Sequence, residues 1–181
     1  MKNNHDAEKR GIRESGCARL TPSMKIQPYR KDLESELITL VAECYAEYDQ
    51  VIELESLDSD LMSVDEIYRP PFSTFQVLLD GRQLVGSVAV KGKQGGNAEL
   101  KRLFLERSYR RRGFGKYLSL WAFDWARRSG YDMITIWTDA LYTNAHRLYH
   151  RLEAVQTDAR RELGGVNMVE EIHFEYRLSK P

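Results

Sequence analysis

The sequence predicts an α/β domain built on a mixed, mostly antiparallel sheet. Two observations carry this. Short apolar alternations are interleaved with long amphipathic helical patterns. Three central alternations follow one another with only turns between them, which makes an antiparallel meander and excludes a doubly wound parallel sheet. At 181 residues, the chain is long enough to bury a core without disulfide or metal staples.

The elements follow in order. Residues 1–23 are polar, carry Gly11 and Gly16 and show no period, so they are expected to form a flexible extension before a domain over 24–181. Residues 24–29 alternate as a first strand. Leu33, Leu37, Leu40, Val41, Cys44, Tyr45 and Tyr48 then recur at helical spacing. Residues 49–71 are irregular, with room for a short helix before Pro70 and Pro71. Phe75, Val77 and Leu79 alternate up to Asp80-Gly81, and the alternation resumes over 84–90, the signature of a hairpin. A second turn over 92–97 leads into a strand at 98–105. Leu118, Trp121, Ala122 and Trp125 mark a helix ending near Gly130. Residues 133–138 read as a buried strand, and Ala145, Leu148, Tyr149 and Leu152 share a helical face. Ile172, Phe174, Tyr176 and Leu178 alternate against His173, Glu175 and Arg177, a half-exposed final strand. Trp121, Trp125 and Trp137 read as core.

Composition narrows the class. No run of 18 apolar residues encodes a membrane span, and the N-terminus has no apolar signal region. Cys17 and Cys44 are too few for a disulfide framework and lack metal-ligand spacing. A reducing, cytoplasmic setting with no membrane or nucleic-acid partner is expected, and a homodimer is left open. The net charge is zero, but the charges are segregated. Twelve acids and no Lys or Arg lie between Asp32 and Glu66, whereas 100–128 carries nine bases against Glu106 and Asp124. Such blocks are ordinarily solvated faces. The acids over 53–66 fall in the irregular stretch, where no helix requires a polar face, so they are expected to attract a cationic ligand.

Chemistry concentrates between Glu99 and Lys116, where a strand runs through a loop with two glycines directly into a helix. Gly113 and Gly115 allow a tight turn and close backbone approach, and the helix N-terminus favours an anion. A Walker loop would need Ser or Thr where Tyr117 stands. A dinucleotide fingerprint would need glycine where Leu118 stands. What fits is [Q/R]-x-x-G-x-[G/A], here Arg110-Arg111-Arg112-Gly113-Phe114-Gly115.

This run, with the strand before it and Asn144-Ala-His-Arg-Leu-Tyr149 downstream, resembles the GNAT family of N-acetyltransferases. The resemblance implies a single-domain acyl-CoA N-acyltransferase fold with a splayed central strand pair. It also implies acetyl transfer from acetyl-CoA to a primary amine by direct attack in a ternary complex, without a metal. Backbone N–H groups from Arg111 through Lys116 would hold the pyrophosphate. Main-chain groups around Leu103, Phe104 and Leu105 would hold the pantetheine arm as an added strand, and Asn144, placed at a helix N-cap, would touch it. Tyr149 would protonate the departing thiolate. Glu99, 11 positions before Arg110, matches the general-base glutamate of histone-type members. Lys101 on the same strand face would oppose that role by lowering its pKa.

With the acidic stretch, the expected acceptor is a cationic amine: a polyamine, an aminoglycoside or a Lys-bearing peptide. Two other readings stand beside this one, a CoA-binding module without catalysis and an RNA-binding protein using Arg107 to Arg112. The chain departs from the family at Leu152-Glu153-Ala154-Val155, where Gly-Phe is usual. His146 and His150 have i, i+4 spacing but no third ligand, and neither they nor His173 has a triad partner.

Overall fold

The computed structural model describes residues 23–178. Apart from Ser23, the extension expected over 1–23 lies outside them, as does Cys17. The strands are β1 (Met24–Pro28), β2 (Ser73–Asp80), β3 (Gln83–Gly92), β4 (Asn97–Leu105), β5 (Met133–Asp139), β6 (Val155–Glu162) and β7 (Glu170–Arg177). The helices are α1 (Glu34–Ala46), α2 (Val64–Ile67), α3 (Phe114–Arg128) and α4 (Thr143–Arg151). The strands form one sheet in the order β1-β2-β3-β4-β5-β7-β6, antiparallel throughout except for β4 and β5.

The hairpin at Asp80-Gly81 forms with Asp80 opposite Gln83, and Gly81 takes the left-handed conformation (φ 62°) that suits glycine. A seventh strand, β6, is absent from the expectation. Its Val155-Gln-Thr-Asp-Ala-Arg-Arg-Glu162 run is polar and mostly exposed, so no alternation marks it. It exists because β7 supplies a hydrogen-bonding edge. Its charges keep that outer edge from pairing further.

Two cores lie on opposite faces of the sheet. Leu37, Leu40 and Val41 of α1, with Leu61 and Val64, cover Phe75, Val77 and Leu79. Phe114, Leu118, Ala122 and Ala126 of α3, with Tyr149 and Leu152, cover Val85, Val88, Leu100, Ile134, Ile136 and Phe174. The three tryptophans differ from expectation. Each is only half-buried, and Trp137 faces a cleft.

A bulge in β4 shapes that cleft. Ser87 pairs with Phe104 and Ala89 with Lys101, so Arg102 and Leu103 together oppose Val88. Arg102 takes φ 53°, and its carbonyl accepts the Ser87 hydroxyl at 2.8 Å. The extra residue reverses the alternation. Ala98 and Leu100 face α3 before the bulge, and Leu103 and Leu105 do so after it. β4 pairs with β5 only over Asn97–Leu100 and Met133–Ile136. Beyond Leu100 the two parallel strands diverge, leaving one edge of Lys101 to Leu105 without a strand partner among the described residues.

Candidate active site

The loop after β4 is pinned before it is turned. Residues Arg107–Tyr109 make a 3-10 turn, and the Tyr109 hydroxyl donates to Asp80 at 3.0 Å. Arg111 (φ 57°) and Gly113 (φ 89°) are both left-handed, which gathers successive N–H groups into a concavity. The backbone N–H groups of Arg111, Arg112, Gly113, Phe114 and Gly115 find no hydrogen-bond partner among the described residues. Five donors in a row at the start of a 15-residue helix make a cradle for a polyanion.

The side chains of this loop divide differently from expectation. Phe114 is 1% exposed and anchors the loop in the core, so only its N–H faces outward. A Cβ on Gly115 would meet Leu148 Cδ2 at 3.2 Å, so this glycine lets α3 pack against α4. Arg110 turns inward, donating to Glu47 at 2.7 and 2.8 Å and to the Leu105 carbonyl at 2.8 Å. It ties the end of β4 to α1 and is not part of an exposed basic cluster. Arg111 and Arg112 are exposed, Arg112 lying over the Tyr109 and Phe114 rings, and Lys116 is half-buried in the first turn of α3. Cys44, distant in sequence, lies 3.3 Å from Arg110, and burial pushes its thiol pKa up. Asn144 is not a cap: Tyr142 holds the N-cap position of α4, and the exposed Asn144 carboxamide accepts from Arg147 at 3.3 Å.

The cleft opens where β4 and β5 part, and it passes between the two faces of the sheet. Tyr149 and Ala145 line it from the α4 side; Glu99, Lys101, Trp137 and Arg161 line it from the other. Tyr149 is 4% exposed, its ring 5.5 Å from that of Phe174. Its hydroxyl makes no hydrogen bond to a described residue, yet it is not among the sealed unpartnered atoms, so it opens on the cleft. Burial pushes its pKa up, so the hydroxyl stays protonated across the working pH range.

Glu99 is 4% exposed and doubly paired, with Lys93 Nζ at 2.6 Å and Lys101 Nζ at 3.6 Å. Burial alone would raise its pKa, but Lys101 and Lys93 outweigh that and hold it below the usual range. A carboxylate so held is a weaker base than a free one. Glu99→Gln is therefore expected to lower kcat by less than about 10-fold and to leave the acidic limb of the pH profile in place. Because the folded pKa is depressed, the pair stabilises above the ordinary carboxylate pKa and that contribution fades as pH falls through the folded value. Melting should accordingly show the variant less stable at pH 7, by about 1–2 kcal/mol, with the gap closing below pH ~4. A 10²- to 10⁴-fold loss of kcat would restore Glu99 as the base.

Three of the six acids of the irregular stretch, Glu53, Asp58 and Asp60, are engaged within the fold. Arg102, its side chain 8% exposed, donates to Asp58 Oδ1 at 2.6 Å and Asp60 Oδ2 at 3.1 Å and also pairs with Asp60 Oδ1. Tyr45 donates to Asp58 at 3.0 Å, and Tyr68 donates to Asp60. Glu53 accepts from the Val166 N–H and the Asn167 carboxamide, both at 3.1 Å. Asn167 further accepts from Val51 N–H at 2.9 Å and donates to the Val51 carbonyl at 2.7 Å. It thereby joins the turn between β6 and β7 to the loop after α1. On the other side Gln50 donates to Asp139 at 2.5 Å and accepts from Tyr142 at 2.7 Å. No local pattern announced these contacts: apart from Tyr45 to Asp58 and Tyr68 to Asp60, each joins residues more than 40 positions apart.

His146 bonds the Asp139 carbonyl at 2.9 Å, and His150 is exposed. His173 is buried, against expectation, because Trp137 and Thr157 cover it. Among the described residues no three His, Cys, Asp or Glu side chains gather as a metal site, and no helix is long and apolar enough to cross a membrane.

A sheet split between two parallel strands, with a donor-lined loop at the head of the following helix, defines an acyltransferase scaffold. The chain belongs to the acetyltransferase (GNAT) family, whose family model matches residues 35–153. An acetyltransferase from Streptococcus agalactiae superposes with a TM-score of 0.76 at 19% identity, over 87% of this chain and 100% of that one. An acetyltransferase-fold protein of Salmonella typhimurium, solved with its cofactor acetyl-CoA, superposes with a TM-score of 0.62 at 15% identity, over 88% and 96%. In sequence, the N-acetylaspartate synthetase of Xenopus tropicalis is 31% identical over 99 residues, 54% of this chain and 36% of that protein. The human N-acetylaspartate synthetase is 32% identical over 100 residues, 54% and 33%. This chain thus spans about a third of the length of those relatives.

Proposed function

We propose that the chain transfers an acetyl group from acetyl-CoA to the amine of a small acidic amino acid. The observation that carries the cofactor half is the run of five unpartnered N–H donors from Arg111 to Gly115. That run suits a pyrophosphate, and the free edge of β4 from Lys101 to Leu105 suits the amide-bearing pantetheine arm. Acetyl-CoA supplies the activated thioester. The amine nitrogen forms the new bond to the acetyl carbon as the carbon–sulfur bond breaks. Tyr149 gives its hydroxyl proton to the departing thiolate, and the proton lost by the amine passes to solvent. Glu99 holds Lys93 and Lys101 beside the cleft.

The acceptor half rests on charge. A cationic acceptor was expected from the acids over 53–66, but Glu53, Asp58 and Asp60 hold other parts of the fold. The cleft itself carries Lys101, Arg102 and Arg161 against Asp58, Glu99, Asp139 and Glu171, and Lys93 neutralises Glu99 further. It is not an anionic trap. The matched N-acetylaspartate synthetases support an acidic acceptor by their name. Exposed Glu55, Asp65 and Glu66 are what still favours a cationic one. Thiol release from acetyl-CoA should be compared for aspartate, glutamate, spermidine and a lysine peptide. Aspartate or glutamate is expected to give the highest kcat/KM. Faster cationic acceptors that slow at 1 M salt, where the Debye length is ~3 Å, would return the acceptor to the cationic class. Acetyl-CoA binding without turnover of any amine would leave a binding module.

A further inference from the structure

The cations at the mouth of the cleft differ in what they have left to offer. Arg102 is closed, since all three guanidinium nitrogens reach Asp58, Asp60 or the Leu57 carbonyl. Arg161 is half-engaged. Its Nε donates to Glu171 at 2.5 Å, its guanidinium lies 4.4 Å over the Trp137 ring, and its side chain is 38% exposed. Neither terminal nitrogen makes a hydrogen bond to a described residue, so one planar edge of the guanidinium remains available. Stacking on the indole and the bond to Glu171 fix that plane without occupying the edge.

Lys101 lies across the opening. Glu99 pairs with Thr135 and Leu100 with Ile136, so Lys101 and Trp137 are the first residues past the last paired rung of β4 and β5. Lys101 Nζ stands 3.6 Å from Glu99, an ion pair without a close hydrogen bond. Both cations therefore border the place where the parallel strands separate, on the sheet face opposite Tyr149.

We infer that Arg161, held on Trp137, and Lys101 form a carboxylate-binding subsite that selects the acceptor. The inference rests on the reading of the acceptor as an acidic amino acid and names the groups that recognise it. A fork of two parallel N–H donors matches a carboxylate in geometry as well as charge. Arg161 takes one acceptor carboxylate in this way and Lys101 takes the other as a point charge. An amine lacking carboxylates leaves both groups unanswered.

The test uses the full chain and four acceptors: aspartate, glutamate, alaninamide and spermidine. Arg161→Gln should raise KM for aspartate and glutamate by about 10- to 100-fold. It should leave alaninamide within about twofold and the melting shift with acetyl-CoA unchanged. Arg161→Glu should move the preference towards spermidine, which a merely structural arginine would not do. Because Glu171 loses its partner in these variants, Arg161→Gln with Glu171→Gln serves as the second variant and should show the same KM pattern. If the wild type acetylates aspartate or glutamate and both Arg161→Gln variants keep KM within about twofold, the subsite is overturned while the acceptor class stands. If the wild type acetylates spermidine alone, the acceptor class falls and the subsite with it.

Discussion

Tyr149→Phe is expected to lower kcat by about 10- to 1,000-fold while KM for acetyl-CoA and thermal stability barely move. The asymmetry follows from where the two parts of the side chain lie. The ring packs against Phe174 in the core and survives the substitution. The hydroxyl bonds to no described residue, so its removal breaks no hydrogen bond among them. What it loses is a proton donor that burial keeps protonated beside the divergence of β4 and β5. Steady-state kinetics with acetyl-CoA and the best acceptor, alongside a melting curve, check both halves. A destabilised protein with unchanged turnover would make Tyr149 a packing residue.

The second large effect is on stability. Arg102→Ala should cost about 3–5 kcal/mol at pH 7, a fall in Tm of about 6–20 °C for a chain this size. The guanidinium is the shared partner of Asp58 and Asp60, whose side chains are 4% and 16% exposed. Removing it leaves two poorly hydrated carboxylates facing each other's field. Burial raises the Asp60 pKa and Arg102 more than offsets this, so the folded value lies below the ordinary one. Stability from the pair is present above the ordinary aspartate pKa and disappears as pH falls through the depressed value. In the variant only the Tyr68 bond and the Lys101 charge still oppose the effect of burial on Asp60, so its pKa rises and acid should relieve the strain by protonating it. The difference in Tm should therefore shrink between pH 7 and pH ~4. A difference that is small at pH 7, or constant with pH, would show that the bulge does not depend on this cluster.

These two residues also show what was legible before the structure. Tyr149 stood out because it lies in a local pattern, five positions after Asn144, on a helix whose apolar face was readable. The loop from Arg110 to Gly115 was legible for the same reason, as was every strand that alternates. Arg102 was counted only as one charge in a basic block. Its partners lie over 40 positions away, and its orientation depends on a bulge that no composition marks. Arg110 fitted a cofactor motif by type, whereas the fold directs it to Glu47. Strand β6 was invisible because an exposed edge strand needs no apolar face, and with it went Arg161 and the turn carrying Asn167. The acidic stretch was legible as charge, but not the pairing of Asp58 and Asp60 with Arg102 within it.

The most direct measurement is the melting temperature with and without acetyl-CoA, in the wild type and in Gly113→Glu. Gly115 is unsuited to this test, since a side chain there enters the contact between α3 and α4. At Gly113 a glutamate places a negative charge among the free N–H groups, and the left-handed backbone itself costs only about 1–2 kcal/mol. Acetyl-CoA at a hundredfold excess over Kd should add about 2.7 kcal/mol to the wild type, or about 5–11 °C. Gly113→Glu should melt a few degrees lower on its own and show no shift with acetyl-CoA. A wild type that acetyl-CoA leaves unshifted, or a Gly113→Glu variant that shifts as far as the wild type, would contradict the assignment of this loop to the cofactor.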